Sequence, residues 1–220
     1  MIPFLVIAGA VATLPIAGTL VPSTTLASPG ARAILPPLPL TIRVVTDGDA
    51  GVVDAAWLDE QVAAANRHFA RFGIRFTVTL GATIPAKHLA LESRADRDVL
   101  STYMTPGTLD VFVVGSLRDV DEPPRLRKGV TWRRTDDTSK RFVILSSAAF
   151  PDVLAHELGH FLGNGHSAVT DNLMSYSRDG GTVFLDDAQG ERSRREAARL
   201  FATRRLVARA DASVDARSPD

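Results

Sequence analysis

The string His156-Glu157-Leu158-Gly159-His160-Phe161-Leu162-Gly163-Asn164-Gly165-His166 constrains the fold more than any other part of the chain. On a helix, His156 and His160 lie about one turn apart on the same face. A proline and an acid at Pro151-Asp152 suit a first turn, and Val153, Leu154, Leu158, Phe161 and Leu162 supply apolar contacts. Were the helix to continue, His166 would sit roughly 15 Å along the axis from His156, too far to share one ion. The helix therefore has to stop at Gly163, which tolerates a left-handed backbone, and Asn164-Gly165 supplies the turn that brings His166 back.

Three imidazoles without a thiolate suit one zinc ion and leave a fourth position open, the arrangement of a catalytic site rather than a structural one. Glu157, next to one ligand and three residues before another, is placed to act as general base and acid beside His156, His160 and His166. A chance match to the whole pattern is expected in roughly one chain in 10⁵ of this size.

The string resembles the zinc signature of the metzincin metalloendopeptidases. Asn172-Leu173-Met174-Ser175-Tyr176 is similar to the Met-turn of that clan, with Met174 eight residues after His166. Ser167 is similar to the residue at its position in matrixins, whereas Tyr176 is similar to astacin-like and serralysin-like members. In those groups the tyrosine approaches the metal or steadies the oxyanion, which makes Tyr176 a candidate second catalytic group. The resemblance also implies that an antiparallel edge strand, Gly129-Val130-Thr131-Trp132-Arg133, pairs with extended substrate. Within that strand, Gly129, Val130, Thr131 and Trp132 are the candidate substrate-binding residues.

The order of elements agrees. Leu40 to Thr46 alternates as a strand, and Asp54 can cap a helix from Ala55 to Phe72 that ends at Gly73. Ile74 to Leu80 alternates again, about Glu92 to Met104 suits a helix, and Leu109 to Val114 reads as a buried strand. Gly129 to Arg133 and Phe142 to Ser146 are strands joined by a turn through Asp136 and Asp137. A last helix runs from Asp186 to about Phe201, with Gly190 weakening its start. The expected fold class is α+β with an α/β-type upper part. It has a twisted, mostly parallel five-stranded sheet with an antiparallel edge strand, a metal-binding helix, and a small C-terminal part with the Met-turn and a final helix. His68 and His88 are expected at the surface or an edge, while Glu60 and Asp110 are candidates for groups behind the ligands.

At 220 residues, 45% hydrophobic, the chain can bury one sizeable core. Its formal net charge of zero argues against general binding to nucleic acid or anionic membranes. The absence of cysteine excludes disulfides and a thiol latch on the metal. Residues 1–27 read as an export signal, or alternatively an N-terminal membrane anchor, because an apolar run from Met1 to about Val21 precedes small polar residues. Residues 28–37 form a linker, too short for a folded prodomain; 38–203 form the catalytic domain; and 204–220 form a disordered tail. The expectation is a monomeric, exported zinc endopeptidase acting on proteins or peptides. The alternative is a noncatalytic, zinc-stabilised peptide-binding module.

Overall fold

The computed structural model describes residues 34–48 and 50–208. The export signal or anchor at 1–27, most of the linker and the end of the tail lie outside the described residues. The main elements are β1 (Leu38–Val44), α1 (Ala55–Phe69), β2 (Phe76–Leu80), α2 (Arg94–Val99), β3 (Leu109–Val114), β4 (Gly129–Arg133), β5 (Arg141–Ser146), α3 (Asp152–Phe161) and α4 (Asp187–Ala202). The sheet order is β2-β1-β3-β5-β4. The first four strands are parallel, and β4 joins β5 antiparallel, with Thr131 opposite Val143. This is the five-stranded sheet with an antiparallel edge that the sequence predicts.

All six residues of β3 are buried, because helices or turns cover both faces of the central strands. Alternation divides the core. Leu109, Val111, Val113, Val143 and Leu145 face α1, α3 and α4, while Phe112, Val114, Phe142 and Ile144 face Leu91, Leu100 and Leu117. Burying Leu154, Leu158 and Phe161 contributes roughly 1.5–3 kcal/mol each, which holds α3 against the sheet although its middle carries two imidazoles and a carboxyl.

Two side chains of α1 fix the start of α3. Gln61, fully buried, donates to the carbonyl of Phe150 at 2.9 Å and accepts from the Leu154 amide at 3.1 Å, satisfying a first-turn donor. His68 lies 2.9 Å from Asp152 in the same turn. That carboxylate is held below its usual range, first by the hydrogen bond to His68.

Several expectations shift. The helix after Asp54 is capped as read, the Asp54 carboxylate accepting from the Trp57 amide at 2.8 Å, but it tightens into a 3₁₀ turn over Ala70–Phe72 before Gly73 at φ 67°. The segment after Glu92 is a short helix capped by Ser93, continued by a 3₁₀ turn over Leu100–Tyr103. His88 is buried, not at the surface, because the 3₁₀ turn after Pro85 carries its ring against Tyr103, and burial lowers its pKa. Asp110 is not behind the ligands. Its side chain points to the α2 side of the sheet, where it binds Arg43 at 2.7 Å and burial raises it to about 6. Glu60 is exposed on α1. Gly190 does not weaken α4; it makes room for the Phe72 ring, which a Cβ there would overlap. The packed chain continues past 203, since Leu206 is buried and the Val207 amide donates to Gly107.

Candidate metal centre

In α3, His156 and His160 project from one face, one turn apart, as their spacing predicts. The helix ends at Leu162, and Gly163 turns left-handed at φ 91°. Its amide and that of Asn164 return to the carbonyls of His160 and Gly159. The chain then reverses and delivers His166. Nε2 of His160 lies 3.0 Å from Nε2 of His156 and 3.1 Å from Nε2 of His166.

The far nitrogens decide what these rings can hold. His156 Nδ1 donates to the carbonyl of Leu173 at 2.7 Å, and His160 Nδ1 donates to that of Asn164 at 2.8 Å. A carbonyl cannot donate, so both protons sit on Nδ1 and both Nε2 lone pairs point at one another. Burial, as the largest cause, lowers the pKa of all three imidazoles, that of His160 to about 4. Neutral lone pairs converging at 3.0–3.1 Å suit a shared cation. Zinc, with nitrogens at about 2.0–2.1 Å, sets its ligands roughly 3.3 Å apart. The donor set therefore fits one zinc ion. Among the described residues it is the one group of three or more such side chains close enough to hold a metal.

No family model and no curated protein sequence matches the chain. Solved structures match with full probability. Mature mirolysin of Tannerella forsythia in complex with a cleaved peptide superposes at a TM-score of 0.57, over 79% of this chain and 99% of that one, at 12% identity. Archaemetzincin of Methanopyrus kandleri superposes at 0.50, over 74% and 96%, at 17% identity. Metalloproteinase-II of Bacteroides fragilis does so at 0.50, over 73% and 53%, at 14% identity. The fold is metzincin-type.

The turn around Met174 packs against α3 at Gly159, between His156 and His160. Met174 is fully buried, its amide accepted by Asn172 Oδ1 at 2.9 Å. The Asn172 side chain is locked in turn by Gln189 of α4 through bonds of 2.8 and 3.0 Å. Ser167 joins the segment of His166 to this turn, its amide donating to the carbonyl of Met174 at 2.9 Å. Tyr176 is largely exposed, its ring 4.6 Å from that of His166 and 5.7 Å from that of His156.

Glu157 is buried between α3 and β4. Burial, the largest cause, raises its carboxyl to about 7, against the Thr131 hydroxyl and main chain, which lower it. Thr131 Oγ1 lies 2.6 Å from the Glu157 carbonyl and 3.0 Å from Oε2. With one proton, that hydroxyl can donate to an ionised Oε2, or donate to the carbonyl and accept from a protonated carboxyl, so either state of Glu157 has a partner. The close approach depends on Gly129, where a Cβ would fall 2.7 Å from Val153 Cγ1 and 3.0 Å from Glu157 Cγ.

The free edge of β4 runs along this site. Gly129 and Thr131 face α3, while Val130 and Trp132 pack on the opposite face of the sheet. Two cavities of about 200 and 550 Å³ meet at Glu157, Tyr176 and Arg127.

Four contributors escape sequence reading. The carbonyls of Leu173 and Asn164 orient ligands, and main-chain atoms carry no side-chain signature. Gly159 lies inside the ligand string but binds nothing; it makes room for Met174. Arg127 ion-pairs with buried Asp119 at 2.7 Å, lines both cavities together with Tyr176, and lowers the pKa of Glu157 and His166 through space. Nothing near it in the sequence marks it.

Proposed function

We propose that this chain is a zinc-dependent endopeptidase in which His156, His160 and His166 hold one zinc ion and Glu157 is general base and acid. One observation carries the proposal: three neutral imidazole lone pairs converge beside a buried carboxyl at about 7, in a cleft bordered by a free strand edge. The solved structures of similar fold include one in complex with a cleaved peptide.

When bound, zinc supplies Lewis acidity to the scissile carbonyl and acidifies a water. The protein's own groups do the rest. The main chain at the β4 edge pairs with an extended peptide and sets the scissile bond against Glu157. Glu157, poised near neutral pH, takes a proton from the attacking water and gives it to the departing amine. Thr131 serves both protonation states of that carboxyl. Arg127 and Tyr176, where the two cavities meet, face the charge that grows on the carbonyl oxygen.

The test is digestion of a peptide library by the zinc-loaded protein beside its Glu157→Ala variant. Wild type should cleave with one zinc per chain, and the variant should keep the zinc while losing at least about 10²-fold in rate. Undiminished cleavage by the variant would remove Glu157 from the mechanism. Stoichiometric zinc with peptide binding and no turnover would identify a noncatalytic binding module instead.

Export is a further part of the proposal and rests on residues 1–27. Among the described residues, no helix is long and apolar enough to cross a membrane. A mature N-terminus near Ser28 or Ile34 supports export, and retention of Met1 in the membrane fraction supports an anchor.

A further inference from the structure

The larger cavity, about 550 Å³, follows the β4 edge from Gly129 toward Arg133 and on to the α2 side of the sheet. Five arginines line it, against the carboxyl groups of Asp119, Asp121 and Glu157. Two of the five are neutralised, Arg94 by Asp121 at 2.5 Å and Arg127 by Asp119 at 2.7 Å. Among the described residues, Arg97, Arg133 and Arg141 have no carboxylate within 4.0 Å. The excess is local, because the chain as a whole is neutral.

Arg97 is the informative member. Its side chain is 2% exposed, yet it has no acidic partner. One terminal nitrogen donates to the carbonyl of Arg118, the guanidinium lies 4.7 Å from the centre of the Trp132 ring, and its buried Nε–H has no acceptor. Burial, the largest cause, and the neighbouring Arg127 lower its pKa to about 10. An unpaired buried cation is costly. Here it has been placed on the wall of a cavity, beneath an indole that belongs to the β4 edge.

A peptide paired with β4 alternates its side chains between the α3 face and the Trp132 face. A side chain sent toward Trp132 therefore arrives at Arg97. We propose that this part of the cleft is an acidic-residue subsite, and that the enzyme selects substrates with Asp or Glu where the extended chain passes Trp132. The carboxylate pairs with the guanidinium where Arg97 lines the cavity and neutralises it. This inference rests on the peptidase function proposed above and adds its substrate class.

The experiment uses the zinc-loaded full chain and a peptide library, followed by pairs of peptides that differ only as Glu or Gln at the enriched position. Acidic residues should be enriched at one position on the Arg133 side of the scissile bond, and the Glu peptide should have a kcat/KM about tenfold higher than its Gln partner. Arg97→Gln should bring that ratio close to one, and Arg97→Lys should keep part of it. The wild-type ratio needs no variant, so misfolding of Arg97→Gln leaves the proposal open to refutation. Cleavage without acidic preference overturns the subsite alone. No cleavage of any peptide overturns the peptidase function and the subsite together.

Discussion

The thioether of Met174 occupies the space that a side chain on Gly159 would fill. Gly159 lies between His156 and His160, so the turn of Met174 and the histidine-bearing turn of α3 interlock. The same turn supplies the Leu173 carbonyl that orients His156. Gly159→Ala should therefore cost about 1–3 kcal/mol of stability by overpacking and weaken zinc retention. Met174→Ala leaves a cavity instead, and the double variant should recover part of the loss. Melting temperature and zinc content check this; two additive losses would show that the residues are not coupled.

Thr131 should set the acid limb of the pH–rate profile. Its hydroxyl lowers the pKa of Glu157, so Thr131→Val raises that pKa and moves the acid limb of kcat/KM to higher pH. The expected displacement is about half a unit to one unit, read from initial rates between pH 5 and 9. An unmoved limb would assign it to another group.

In the metal-free protein, Glu157→Gln should be stabilising at alkaline pH. Its carboxyl titrates at about 7 when folded and 4.5 ordinarily, so the folded chain holds the proton more tightly and loses stability as pH rises from 4.5 to 7. Glutamine has no such loss. The variant should exceed wild type by up to about 3 kcal/mol above pH 7, and the gap should close toward pH 4.5. Thermal melts in chelator across that range decide it, and a gap that widens on acidification contradicts the sign.

Arg127 and Tyr176 should act as a unit. Arg127→Met and Tyr176→Phe should each reduce kcat about 10–100-fold with zinc content unchanged, and the double variant should lose less than the product of the two. Full multiplicativity would mean that the hydroxyl and the guanidinium work independently.

The candidate metal site is legible in the sequence because the histidines that could form it are local. Two histidines on one helical face, a glycine that stops the helix and a third histidine just after the turn all obey the geometry of a few successive residues. The succession of strands along the chain and the antiparallel edge are legible as far as alternation and resemblance reach, whereas their order in the sheet comes from the structure. His88 is not legible because burial depends on what packs above a segment, and its polar local sequence carries no trace of that; Asp110 is not legible because a continuously apolar strand does not say which face turns toward α3. Arg127, Asp119 and Arg97 come from separate segments around the cleft, and Gly159 fits its partner in space, fifteen residues away in the chain. Sequence alone determined which atoms can bind the metal. Only the tertiary structure decided which charges line the cleft, because Coulomb interactions and steric fit depend on distance in space.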